Sequence, residues 1–79
     1  MENQYCELYE TKDRFLSALL LSLGLRLDQS YQEGGVTYFV FENKEECEDV
    51  IKKYYNNELM INPKTFVDAM QNIKHMIHG

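Results

Sequence analysis

Leu25-Arg26-Leu27-Asp28-Gln29-Ser30-Tyr31-Gln32-Glu33-Gly34-Gly35-Val36-Thr37-Tyr38-Phe39-Val40-Phe41 is the stretch on which the fold turns. Two adjacent glycines between extended runs mark a tight hairpin loop, because the favoured two-residue turns need positive φ. Ahead of the loop, Leu25 and Leu27 alternate with Arg26 and Asp28, the period of a strand with one apolar face. Behind it, Val36–Phe41 is the best strand in the chain, β-branched and aromatic throughout. Both of its faces are apolar, which predicts a central strand with cover on both sides.

Toward the N-terminus, a run of leucines predicts a helix over Lys12–Leu23. Thr11 reads as its N-cap, and Asp13 in the first turn complements the helix dipole. Phe15, Leu16, Ala18, Leu19, Leu20, Leu21 and Leu23 make it apolar on most of its circumference. So broad a face belongs to a central helix, or to one that also meets a second chain as a homodimer. Gly24 is suited to the left-handed residue after the helix, with Leu25 folding back over the end. Before this helix, Tyr5–Glu10 reads as a short strand and residues 1–4 as a loose end.

Toward the C-terminus, Asn43 reads as an N-cap with Glu46 at the capping-box position. Cys47, Val50, Ile51 and Tyr54 recur at helical spacing as a buried stripe, and Asn56-Asn57 ends the element. Leu59-Met60-Ile61 reads as an extended link or an edge strand. Asn62-Pro63 then opens a third helix, with proline where its missing N–H does no harm and a stripe of Phe66, Met70, Ile73 and Ile77. The order is β-α-β-β-α-(β)-α: an α+β fold, a small antiparallel sheet packed with three helices, in one domain over residues 1–79.

The stretches Leu8-Tyr9-Glu10-Thr11-Lys12-Asp13, Thr37-Tyr38-Phe39-Val40-Phe41-Glu42 and Ile61-Asn62-Pro63-Lys64-Thr65-Phe66 resemble a family of small uncharacterised domains of unknown function carried by phages and mobile elements of Gram-positive bacteria. The resemblance spans roughly residues 8–75. It carries no catalytic residue, and it implies a bacterial host cell. Small acidic proteins from such elements include the anti-CRISPR inhibitors, which occupy nucleic-acid-binding surfaces of effector nucleases. By that analogy the expectation is a non-enzymatic inhibitor binding a type II CRISPR effector and blocking nucleic-acid loading.

Charge is compatible with this. Thirteen acidic residues against eight basic ones leave a formal charge of −5 in 79 residues. Direct nucleic-acid binding needs a concentrated Lys/Arg surface, whereas the cations here are scattered, Lys52-Lys53 being the one local pair. An acidic protein suits a partner protein with a basic surface. Glu42, Glu45, Glu46, Glu48 and Asp49 place five carboxylates in eight residues. They serve either as ordinary solvated charge at a helix start or as a partner-binding face imitating phosphates, extended by Asp28 and Glu33 if the fold gathers them. Six tyrosines exceed what a small core hides, and Tyr55, next to the core-facing Tyr54, is the candidate anchor for a partner.

Cys6, Cys47, His75 and His78 form a candidate two-Cys, two-His zinc set, which would stabilise so small a domain. The alternative is two buried thiols and two surface imidazoles. At ~100° per residue, His75 lies about 180° and His78 about 120° from Phe66 around the last helix, so the set requires that helix to turn aside or unwind near Lys74; otherwise the two histidines belong to a separate surface. Catalysis is not expected: the histidines sit at the C-terminus, and Gly34-Gly35 belongs to a hairpin rather than a phosphate loop. With neither a run of ~18 apolar residues nor a basic-then-apolar leader, a cytoplasmic protein with reduced thiols and no membrane span is expected. The runner-up reading is a dimeric accessory protein of the element that binds DNA or a replication or packaging partner.

Overall fold

Antiparallel pairing of three strands organises the chain. The computed structural model describes residues 7–78. Strand β1 (Tyr9–Thr11) leads to helix α1 (Arg14–Ser22), then to the hairpin of β2 (Leu27–Glu33) and β3 (Val36–Phe41), and finally to helices α2 (Lys44–Tyr55) and α3 (Pro63–His78). The sheet order is β1-β3-β2, with both pairs antiparallel, so β3 is central as its composition predicts. Gly34 and Gly35 have φ of +60° and +80°, and Glu33 pairs with Val36 across them. That is a two-residue loop with the positive φ values that match the twist of the flanking strands. Asp28 is the extra residue of a bulge: Leu27 pairs with Phe41 and Gln29 with Val40.

Helix ends are fixed by the backbone pattern. The Asp13 carboxylate accepts from the N–H groups of Phe15 and Leu16, so Asp13, not Thr11, caps α1. Thr11 ends β1 instead, and its hydroxyl accepts from the Asp13 N–H. At the other end the Leu25 N–H reaches the Leu20 carbonyl and the Gly24 N–H that of Leu21, with Gly24 at φ +89°. These two bonds are the Schellman closure. The end of α2 repeats it with asparagine: Glu58 donates to Lys53 and Asn57 to Tyr54, with Asn57 at φ +59°. The Asn43 side chain accepts from the Glu46 N–H, and its amide donates to the Glu46 carboxylate. Asn62 caps α3 through Lys64 and Thr65.

One cluster joins all the layers: Ala18 and Leu20 of α1, Phe39 and Phe41 of β3, Cys47 of α2, Ala69 and Ile73 of α3, and Leu25. Each helix sends its buried residues to the face that carries Phe39 and Phe41, so all three lie on the same side of the sheet. The expected cover on both sides of β3 is therefore not found among the described residues. Val36, Tyr38 and Val40 point the other way. There Tyr38 stacks on Tyr31 with ring centroids 5.2 Å apart, and Val40, only 4% exposed, is flanked across the sheet by Glu10 and Gln29. The outer aromatic residues support cross-strand pairs rather than a second layer.

The leucine helix spends most of its apolar surface inside the molecule. Helix α1 packs along α3 on one side and into the sheet cluster on the other, and Ser17, Ala18, Leu19 and Leu20 are all buried. Of the face suggested for a homodimer, Leu20 is fully buried, and Leu16 and Leu23 are half-buried. Leu59–Ile61 forms no strand: Leu59 and Ile61 are half-buried against the helices and Met60 is 91% exposed. Neither sheet edge reaches them. Among the described residues, no helix is long and apolar enough to cross a membrane.

Candidate functional site

Helix α2 presents its carboxylates as a fan. At ~100° per residue, Glu48, Glu45, Asp49 and Glu46 spread over about 160° of the circumference opposite Cys47. They have different neighbours. Asp49 pairs with Lys53 at 3.3 Å, an exposed contact one turn apart. Glu46 is engaged by Asn43 and, with Glu42, borders a small cleft containing Arg26. Half-buried Glu42 extends the hairpin, its N–H donating to the Arg26 carbonyl. Glu45 and Glu46 lie in the first turn of α2 and Lys52 and Lys53 in the last, the arrangement that complements a helix dipole. Of the two hairpin acids, Asp28 lies at the α2 end of the sheet, beside the Leu27–Phe41 pair. Glu33 lies at the turn, about 17 Å away along β2.

Glu48 lies on the same side of α2 as Tyr55, two turns earlier, within electrostatic reach of the Tyr9 hydroxyl. The Tyr9 hydroxyl is pushed above its ordinary value by burial and then by Cys47, Glu48, Tyr55 and Asp13 around it. Beside this group a cleft of about 470 Å³ opens where the three helices meet. It is lined by Phe15, Leu16 and Leu19 of α1, Tyr54 and Tyr55 of α2, Leu59 and Ile61 of the link, and Phe66 of α3, with Asp13 on its border. Phe15 is 62% exposed, Tyr54 47% and Tyr55 67%. The two tyrosine rings meet edge to face at 5.2 Å. Tyr55, the anchor expected from the sequence, lines this cleft; Tyr54, expected on the core stripe, lines it too.

Phe15 and the Leu59–Ile61 link were not legible as site residues. By helical spacing Phe15 belongs to the apolar circumference of its helix, but it sits in the first turn, where the packing layer ends. An apolar run without a strand partner was the available clue to the link, since such a run has to pack against something else.

Of the four candidate metal ligands, the three that are described, Cys47, His75 and His78, do not converge. Cys47 is fully buried in the central cluster, whereas His75 and His78 are exposed on α3, which stays helical through His78 instead of unwinding near Lys74. Cys6 lies outside the described residues, and among those described no three His, Cys, Asp or Glu side chains are placed to share an ion. The Cys47 thiol donates to the Glu42 carbonyl at 3.6 Å. Burial, reinforced by Glu46 and Glu48, pushes it up to about 11, so at neutral pH it is a protonated core side chain.

The site therefore offers an apolar, aromatic cleft with carboxylates beside it, a chemistry suited to contact with another macromolecule. No curated protein and no solved structure matches the chain. A family model does match, over residues 6–79: the chain belongs to the domain of unknown function family DUF5659.

Proposed function

We propose that this domain works without catalysis, by binding a protein with a basic surface. The observation that carries the reading is the exposed acidic side of α2 next to exposed aromatic residues, with Glu48 and Asp13 near Tyr9 and Tyr55. Aromatic side chains give large contact area at low entropic cost, and carboxylates select and steer a basic partner. In the phage or mobile-element setting that the resemblance implies, the partner is a type II CRISPR effector nuclease. The acidic side of α2 then competes with nucleic acid for the effector's basic groove.

A DNA-cleavage titration tests this, with effector, guide and target DNA against increasing amounts of the protein. Inhibition near one-to-one stoichiometry is expected, strongest when the protein is added before the nucleic acid that it displaces. Glu45→Lys combined with Glu48→Lys should abolish inhibition while leaving the fold intact; Glu46 is spared because it belongs to the α2 cap. No inhibition at large excess removes the nuclease as the partner, and retained inhibition in the folded double variant removes the acidic mechanism. A gel shift with DNA at low salt, weakening steeply as salt rises, would favour the accessory DNA-binding reading instead.

A further inference from the structure

We propose that the cleft at the junction of α1, α2 and α3 is a socket for a short segment of the protein partner, in which one bulky apolar side chain seats among Phe15, Tyr54, Tyr55 and Phe66 while adjacent Lys or Arg residues meet Asp13 and Glu48. The inference rests on the reading that the domain binds a basic protein, and it assigns the anchoring contact to the cleft rather than to the carboxylate fan.

Shape and composition carry the first half. A volume of about 470 Å³ falls within the range of roughly 300–1,000 Å³ typical of binding clefts. It accommodates a side chain with part of its backbone. Three of the lining aromatic residues stand well exposed to water, so an apolar side chain entering the cleft removes that surface from solvent. The walls are held in advance. The Asp13 cap sets the start of α1, the closure through Asn57 sets the end of α2, and the Asn62 cap sets the start of α3. A pre-ordered cleft costs less conformational entropy on binding.

Charge carries the second half. Asp13 borders the cleft, and none of the lining residues is Lys, Arg or His. Glu48 lies seven residues before Tyr55 on the same side of α2. Of the nearby cations, Arg14 lines a separate cleft on the far side of Phe15, Lys53 is paired with Asp49, and Lys52, between Glu48 and Tyr55 on α2, stays outside the cleft lining. A second copy of this chain is a poor occupant, because a net charge of −5 on each molecule opposes association.

The protein contains no tryptophan, so a probe peptide can report its own burial. The full chain is titrated with a short synthetic Lys-rich peptide carrying one central Trp. Binding is read from the Trp emission and confirmed by calorimetry. A blue shift on binding is expected, with affinity falling roughly tenfold or more in Phe15→Ala and in Tyr55→Ala. Glu33→Lys, at the hairpin turn and outside the cleft lining, should stay within about threefold of the unmodified protein. Both alanine variants alter exposed side chains, and their melting curves confirm folding. An unshifted Trp, full affinity in both cleft variants, or equal loss in Glu33→Lys and Tyr55→Ala would overturn the proposal. So would concentration-dependent dimerisation in sedimentation that Tyr55→Ala abolishes. The two readings fail separately: peptide capture without nuclease inhibition removes the nuclease partner, and inhibition undiminished in the cleft variants removes the socket.

Discussion

On the inner face of the sheet, Phe39 and Phe41 are fully buried beneath α1, α2 and α3. At the junction of the same helices, Phe15, Tyr54 and Tyr55 face water. The two regions use the same residue types and differ in what lies over them. A residue in the middle of β3 has a helical layer above it and strands on both sides. A residue in the first turn of α1 or the last turn of α2 stands where those layers end. Exposed aromatic surface at such an edge is costly to leave in water, and a partner that covers it gains the corresponding free energy.

This contrast can be broken by mutation. The largest effect belongs to Phe39→Ala, which leaves a void beneath all three helices. It should cost about 3–5 kcal/mol, enough to abolish cooperative melting in a domain of this size. A variant that melts normally would mean that the inner face carries much less of the stability than its burial implies.

Gly24→Ala comes next. An added Cβ meets nothing within 4 Å, so its cost is that of the left-handed backbone alone, about 1–2 kcal/mol. Chemical denaturation should show that loss with an unchanged slope. A stability equal to the unmodified protein would show that the α1 closure survives without glycine.

A third test is alkaline titration. Cys47 ionises near 9.0 in a model thiol and at about 11 in the fold, so the unfolded chain loses its proton first. The associated stability is fully present below pH 9 and is lost as pH rises from about 9 to about 11. Tyr31, pushed up to about 12 chiefly by the Glu10 carboxylate, adds a further loss above pH 10. Melting temperatures across this range should fall less steeply in Cys47→Ala than in the unmodified protein; parallel curves would place the thiol outside the packed core.

Phe15→Ala should have the smallest effect on stability, within about 0.5 kcal/mol, while weakening capture of the basic peptide. A large drop in melting temperature would make Phe15 part of the core and erase the distinction between the two regions.

Much of the architecture was legible because it rests on local rules. Gly34-Gly35 announced the hairpin, Asn43 with Glu46 announced α2, and Asn62-Pro63 announced α3. Each follows from φ preferences and backbone donors within a few residues of chain. The misplaced α1 cap shows where such rules compete: Thr11 and Asp13 are both good caps, and pairing of Thr11 with Phe39 claimed the threonine for the sheet. The carboxylates of α2 were legible as a group, but their division between Arg26, Lys53 and the Tyr9 side was not.

The α+β class, the central place of Val36–Phe41, the turn and most helix ends follow from the chain's local pattern, because they depend on side-chain period and backbone conformation. Long-range packing placed all three helices on one face of the sheet. It also decided that the leucine helix spends most of its apolar surface internally and that Phe15 joins Tyr54 and Tyr55 in one cleft. Those outcomes depend on contacts between residues far apart in the chain, where packing competes for apolar surface that periodicity can count but cannot assign.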